Sequence, residues 1–574
     1  MNVLQSKLIG AVLVFLSVIF CLPDEAMSQL ASARADQSLN LDAAPSPESG
    51  APDPLAPKQA DGPAPLAPGA PAAVKEPSPS HDVDAVVALV RQHLATATAP
   101  RGVGAREDFA AVVAYYASQP EPIWTGQTGF TVKGQQVINE ISRADDWGLK
   151  ASAFELPKLP DASPTLDALA EAEATLALAI VKYARHARGG RLEPLSVSRK
   201  FDQQPVIYDP KSVLEAIALA DAADAYLQGL HPHHPQFDRL RRALIAQRAA
   251  SAAANAPSKD GPLRLQLLIV NMERWRWMPP DLGSFYVWNS IPDQMTKVVE
   301  DGKVLMSEKI VVGKLSSPTP VFSAPMQFVN FHPSWGVPPG MKTNELAPKL
   351  RDTGGGWFSS KPLASEVLRA QGLQVTRGGS PINPDSVEWA NADIGNYEFT
   401  QGPGPANVLG AVKFRFPNKH DVYMHDTPEK HLFGGAVRAF SHGCMRVQNP
   451  MHLAAVLLTH DKGWSAEKIK EVARQGSEVT LTVPVPVHVT YFTATVDDAG
   501  TLVTRLDIYG LDSRVASALE SREVQVVTTK SVPSEPAAAA GQVWRQKSKV
   551  RQRSAVARQQ PAGAFNPFEG LFGE

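Results

Sequence analysis

Ser441-His442-Gly443-Cys444 contains the only cysteine beyond residue 25; the other, Cys21, lies in an apolar N-terminal stretch. With that stretch removed on export, the remaining thiol has no internal disulfide open to it. A lone cysteine preceded by histidine then reads first as a nucleophile. A free thiol titrates near about 8.5, so at neutral pH it needs a base or a positive neighbour. His442 lies two residues before Cys444, and His425 lies nineteen before it. Val422-Tyr423-Met424-His425 alternates as a strand does, which lets His425 project from a strand end toward a thiol on the following loop. Gly443 permits a tight turn, and the amides around it can point at a developing oxyanion. A third group should orient the base. Asp426 is adjacent, but neighbouring strand residues point to opposite faces, so a backbone carbonyl near Asp426 is the expected orienter. Arg438 and Arg446 flank the motif, either to hold a substrate carboxylate or to form structural ion pairs.

These residues need a frame. A chain of 574 residues suggests about two to four units. Its 44% hydrophobic content provides for buried cores, and a net charge of -2 gives no case for nucleic-acid binding. The N-terminus reads as a secretory signal over 1–28: Lys7, the uncharged run Leu8 to Leu22, then Ala26-x-Ser28, with Ala33-x-Ala35 as the alternative cleavage site. The run is shorter than the roughly 20 residues of a spanning helix, which sets the reading against an uncleaved anchor. Residues 36–80 are rich in Ala, Pro, Asp and Ser and read as a disordered linker.

From 81 to 255 apolar residues recur at helical spacing, as in Val83, Val86, Val87 and Val90, and predict an all-α scaffold. The His231-Pro232-His233-His234-Pro235 run falls between two of its helices and reads as a connecting loop rather than a metal site. Residues 262–512 read as a β-rich domain, beginning with strand-like text from Leu263 to Pro279 and including a hairpin turn at Asp301-Gly302. Trp275 and Trp277 are expected to pack at the domain junction. Helical and Gly-rich text over 341–400 predicts an inserted lid subdomain. Trp335, in a Pro-rich loop, is open to either a pocket-wall or a core role. Residues 526–574 read as a disordered basic tail. The fold class is therefore multidomain α + β.

The run Tyr423-Met424-His425-Asp426-Thr427-Pro428, then Arg438-Ala439-Phe440 and Ser441-His442-Gly443-Cys444-Met445-Arg446-Val447, resembles the L,D-transpeptidase (YkuD-type) catalytic signature, in particular its large periplasmic YcbB-like branch. Pro333-Ser334-Trp335-Gly336-Val337-Pro338 and Asn407-x-Leu409-Gly410-x-x-Lys413-Phe414 extend the resemblance, which covers about 81 to 515. It implies a periplasmic acyltransferase that takes peptidoglycan tetrapeptide stems and joins meso-diaminopimelate residues 3→3 through a thioester. In that reading Cys444 is the nucleophile, His425 the general base and acid, and Gly443 a backbone oxyanion donor with His442 in support. Arg446, Arg438, Tyr423 and Trp335 would contact substrate, and carbapenems would acylate Cys444. No metal or other cofactor is implied. Water or an envelope protein are the other acceptors, giving an L,D-carboxypeptidase or a protein-anchoring enzyme. A cysteine endopeptidase and a non-catalytic wall-binding scaffold are the remaining alternatives. The branch often carries a peptidoglycan-binding module where this chain has only the short linker near 249–262, so docking falls to the scaffold, lid, tails or an envelope partner.

Overall fold

The structure, a computed structural model, describes residues 80–160, 163–253, 260–354, 360–521 and 531–532. The signal peptide, the linker up to residue 79 and the tail other than 531–532 lie outside the described residues.

The first unit is built from helices α1 (Ser80–Thr96), α2 (Val103–Ser118), α3 (Val132–Ser142), α4 (Leu166–Gly189), α5 (Pro210–Leu219) and α6 (Pro235–Ala253). α4 is the central one. Thr165 caps it by accepting the Ala168 amide at 3.2 Å, and Gly190, at φ 88°, ends it. Leu169, Leu176 and Ile180 of α4 join Val90, Val112 and Tyr116 in one core. Two short strand pairings interrupt the expected all-α unit: Thr125–Gly126 with Gly129–Phe130, and Ile207–Tyr208 with Ser531–Val532. The second pairing brings part of the predicted disordered tail back onto the helical unit.

The text read as a strand from Leu263 is a helix, α7 (Gly261–Arg276). Leu263-Arg264-Leu265-Gln266-Leu267 alternates by chance of composition, but Leu265, Leu268, Met272 and Trp275 repeat at helical spacing and enter the helical core. Val270 and Trp277 enter the core of the second unit instead. The two tryptophans thus pack at the junction, one into each core.

The second unit is a nine-stranded sheet of β1 (Phe285–Ser290), β2 (Met295–Glu300), β3 (Lys303–Gly313), β4 (Phe322–Phe331), β5 (Val412–Arg415), β6 (Met424–His425), β7 (Ala439–Ser441), β8 (Met445–Val447) and β9 (Glu478–Thr490). Its order is β7-β3-β8-β6-β5-β4-β9-β1-β2, and pairing of β2 with β3 closes it on itself. The β2–β3 hairpin turns at Asp301 and Gly302, both at positive φ (46° and 80°), as a type I′ turn requires. Helices Pro450–Lys462, Ala466–Gln475 and Leu511–Glu520 pack on this core through Leu453, Ile469 and Val515. The helix ending at 520 extends the unit past the expected limit of 512. By contrast, the Ala494–Val496 and Leu502–Thr504 hairpin, expected among the last strands of the β-rich domain, buries Ala494, Val496 and Leu502 in the helical core.

Between β4 and β5 the chain leaves the sheet to form a small subdomain. Strands Trp335–Gly336, Gln374–Arg377, Ser380–Pro381 and Glu398–Gln401 make a separate sheet. A core of its own runs from Trp335 to Leu409, including Leu350, Leu368, Trp389 and Phe399, and is wider than the 341–400 insertion expected.

Candidate active site

Three adjacent strands build the site. β5 and β6 are antiparallel, with Lys413 opposite His425 and Phe414 opposite Met424. β6 and β8 are parallel, with Met424 beside Met445 and His425 beside Arg446. Paired residues share a face, so Val412, Phe414, Met424, Met445 and Val447 all enter the barrel core. Lys413, Arg415, His425 and Arg446 take the other face. Tyr423 and Cys444, one residue before β6 and β8, join them. Burying each large core side chain contributes about 1.5–3 kcal/mol, and a one-residue slip would exchange Met424 for His425 inside. The hydrophobic alternation thereby fixes which side chains face the thiol.

The loops around Cys444 are tightly tied. Gly443 sits at φ 116°, a conformation that favours glycine. Thr319 Oγ1 donates to the Gly443 carbonyl at 2.8 Å and accepts from the Gly313 amide at 2.9 Å. Ser441 Oγ donates to the Cys444 carbonyl at 2.5 Å and accepts the Gly443 amide at 3.1 Å. The Gly443 amide, expected as an oxyanion donor, is therefore already engaged by Ser441. On the other side, the Cys444 thiol reaches the Asp421 carbonyl at 3.7 Å, and Asp421 itself has φ 51°.

His425 is buried, and its Nδ1 lies 2.5 Å from the Asp426 carbonyl. With that nitrogen donating, Nε2 carries the lone pair. Burial, reinforced by the Arg446 guanidinium, pushes His425 down to about 3, against the Asp426 carbonyl acting in the opposite sense. The imidazole is neutral at pH 7, as a proton acceptor must be. The Asp426 carboxylate points elsewhere, accepting the Ala411 amide at 2.8 Å and pairing with Lys430 at 2.5 Å.

Cys444 keeps a partial opening to solvent. Burial still pushes its thiol up to about 11, opposed by the Tyr423 amide, the Lys413 charge and the Tyr423 hydroxyl. The resting pair is thus thiol and neutral imidazole. The Tyr423 hydroxyl lies within hydrogen-bonding reach of both Cys444 and Trp335, and its own pKa is raised by burial and by the cysteine. Trp335 is a core residue of the small subdomain that also reaches this site.

The remaining expected residues are placed differently. His442 Nε2 faces the rim, 2.5 Å from Glu345 Oε1 and 3.0 Å from Lys314 Nζ; Glu345 comes from the small subdomain. Arg446 pairs with Glu429. Arg438 is corrected from substrate contact to a structural strap. Its guanidinium donates to the carbonyls of Ile310, Gly435 and Gln294 at 3.2, 3.0 and 3.0 Å, and it is 8% exposed. Lys413 was missed as a site residue. Alternation in Val412-Lys413-Phe414-Arg415 marks it as facing away from the core, but the cross-strand register that sets it beside Tyr423 is not written in the local sequence. His231 and His234 are held in packing, stacked on Trp147 and Trp275 respectively. No group of three or more potential metal ligands occurs among the described residues.

Residues 110–244 match the family profile described as a Scaffold domain, and residues 284–487 match that of the L,D-transpeptidase catalytic domain, YkuD. A Haemophilus influenzae protein named "Putative L,D-transpeptidase" is 29% identical over 255 residues, covering 44% of this chain and 49% of that protein. The chain thus matches about half the length of this curated relative. Among solved structures, Mycobacterium tuberculosis L,D-transpeptidase 3 is 12% identical over 36% of this chain and 61% of its own, with a TM-score of 0.17. An L,D-transpeptidase from Mycobacterium smegmatis is 16% identical over 36% and 58%, with a TM-score of 0.15. Overlays at such scores carry no argument, and the two family matches carry the assignment. The chain thus carries a Scaffold domain over residues 110–244 and a YkuD-type L,D-transpeptidase catalytic domain over residues 284–487.

Proposed function

We propose that this chain is a peptidoglycan L,D-transpeptidase that forms 3→3 cross-links through a thioester on Cys444. The observation that carries this reading is the shared face of β5, β6 and β8. There a thiol, the Tyr423 hydroxyl and a neutral imidazole fixed by the Asp426 carbonyl at 2.5 Å stand together.

The Cys444 proton passes to His425 Nε2 as sulfur attacks the carbonyl between the third and fourth residues of a tetrapeptide stem, at the L-centre of meso-diaminopimelate. The tetrahedral oxyanion accepts hydrogen bonds from the Cys444 amide and the Tyr423 hydroxyl, since the Gly443 amide is held by Ser441. Collapse expels D-Ala, whose amine takes the proton from His425. The side-chain amine of a second diaminopimelate then attacks the thioester and gives its proton to His425. The thiol is restored as the new amide forms. The small subdomain serves as a lid, with Trp335 and Glu345 as its contacts to the site. The apolar N-terminal run supports export to the periplasm.

The test is incubation with disaccharide-tetrapeptide followed by mass spectrometry, wild type beside Cys444→Ala. A 3→3 dimer from the wild type alone supports the reading. Tripeptide alone means that water is the acceptor and the chain is a carboxypeptidase. Identical products from both proteins remove Cys444 as nucleophile.

A further inference from the structure

The cations around this face are nearly all matched. Arg415 pairs with Glu478 at 2.6 Å, Arg446 with Glu429, Lys430 with Asp426 at 2.5 Å and Lys314 with Glu345 at 3.7 Å. Lys413 is the exception: no carboxylate pairs with it among the described residues. Its Nζ stands 3.9 Å from the centre of the Tyr423 ring, and the residue is half-buried. A cation on a tyrosine face gains a modest stabilisation from the ring. Partial withdrawal of the ammonium from water works against it. The ring offsets that cost only in part, which leaves the half-buried ammonium open to an anion on the same face.

The register identifies the anion. Lys413 lies opposite His425 and diagonal to Tyr423, on the face that carries Cys444. The Tyr423 hydroxyl, on the ring that Lys413 covers, reaches the sulfur. His425 cannot supply resting positive charge, because it is neutral at pH 7. The other charged groups acting on the thiol or the ammonium are Asp421, Arg415 and Glu478, while Arg446 acts on His425. Arg415, Arg446 and Glu478 are already paired with carboxylates or guanidinium groups.

We propose that Lys413 is a positioning residue for the Cys444 thiolate, its ammonium acting across the Tyr423 ring as the counter-charge that forms when sulfur loses its proton. The proton goes to His425, as above, and Lys413 keeps its own throughout. The Tyr423 hydroxyl donates to sulfur, and the ammonium on its ring strengthens that donor. This inference rests on Cys444 being the nucleophile, and its test is separable from that reading.

The experiment is iodoacetamide alkylation of the full chain across pH 6 to 10, with the Cys444 peptide followed by mass. Wild type, Lys413→Met and Lys413→Arg are compared. Loss of the charge shifts the rate profile up by about one pH unit and slows alkylation at neutral pH about tenfold. Lys413→Arg stays within about threefold of wild type, because charge rather than shape is retained. If Lys413→Met fails to fold, Lys413→Gln carries the same expectation. An unmoved profile in the uncharged variant overturns the inference, and so does equal slowing in the arginine variant. Failure of the nucleophile reading shows elsewhere, as cross-linked product from Cys444→Ala.

Discussion

Asp202 of the helical unit lies 2.7 Å from His420 Nε2 of the barrel, and the same carboxylate holds Lys419 Nζ at 2.7 Å. His420 precedes Asp421, whose carbonyl faces the Cys444 thiol. Asn418 knits that turn, accepting the His420 amide at 3.0 Å and donating to the Val422 carbonyl at 2.7 Å. The strip around Asp202 also holds the loop on the other side of the cysteine. The Val321 amide donates to the Lys200 carbonyl at 2.7 Å, and the Asp202 amide donates to the Val321 carbonyl at 2.9 Å. One strand-like strip of the helical unit therefore grips both loops that flank Cys444.

Asp202→Ala is expected to slow acylation of Cys444. Lys419 is largely exposed and contributes little, so the His420 bond dominates. A hydrogen bond to a charged group contributes about 1.5–3 kcal/mol. Only part of that reaches the thiol through the turn, which gives a slowing of about three- to tenfold. Carbapenem acylation followed by intact mass measures it, with thermal unfolding as the control for global stability. An unchanged acylation rate in a folded variant would show that the helical unit and the site are not coupled through this residue.

His425 and Asp426 should separate cleanly. His425→Ala removes the proposed proton carrier and is expected to lower acylation by about 10²- to 10⁴-fold. Asp426→Asn leaves the carbonyl that orients the imidazole and changes only a side chain bound to Ala411 and Lys430. Its loss should stay within about tenfold, on the scale of one or two charged hydrogen bonds. Single-turnover acylation rates compare the two. An equal collapse would mean that the carboxylate, not the carbonyl, sets the base.

This separation was legible in the sequence, because adjacent strand residues point to opposite faces whatever the partner strand. The shared face of His425 and the strand that follows Cys444, and the Asp301-Gly302 turn, were legible for the same reason: each is a local statement about residue type and spacing. Lys413 was not, since its place beside Tyr423 comes from a cross-strand register between segments joined by a turn. The role of Arg438 is not legible either, because an arginine beside a motif looks the same whether its guanidinium meets a ligand or three main-chain carbonyls. α7 does not show as a helix in the sequence because a helix shared by two cores is buried on several sides, which blurs the 3.6-residue period into apparent alternation. The core that the late hairpin joins is not legible, because alternation gives a buried face without saying what covers it.

The pH dependence follows from the two directions at the site. His425, pushed down to about 3, stays neutral through the acid range, and the Cys444 thiol, pushed up to about 11, stays protonated through neutrality. Thiol plus neutral imidazole is therefore the dominant resting form across that interval. Lowering the pH from 8 to 5 leaves the base unprotonated, so the acylation rate constant should be flat there, falling only as pH approaches the histidine value. Stopped-flow acylation in constant-ionic-strength buffers reads this directly. A decline centred near the ordinary histidine value of about 6.5 would contradict the burial argument.

Gly190 tests the junction that holds the two units together. It ends α4 at φ 88°, and a Cβ there would lie 2.6 Å from Glu273 Oε1 and 2.9 Å from Trp277 Nε1. Glu273 is fully buried in α7 and accepts the Arg191 and Leu192 amides at 2.5 and 3.0 Å. Gly190→Ala should cost about 1–3 kcal/mol for a backbone at φ 88° and ψ 177°, a region reserved essentially for glycine, and about 1–3 kcal/mol more for crowding a packed site. Gly302→Ala is the control: its φ of 80° is similar, but nothing lies within 4 Å of the added carbon. Denaturant unfolding should therefore show Gly190→Ala as the less stable variant, by the crowding contribution together with its costlier backbone conformation. Equal losses would mean that Glu273 and Trp277 yield without cost, and that the contact between α4 and α7 is not what fixes the helical unit against the barrel.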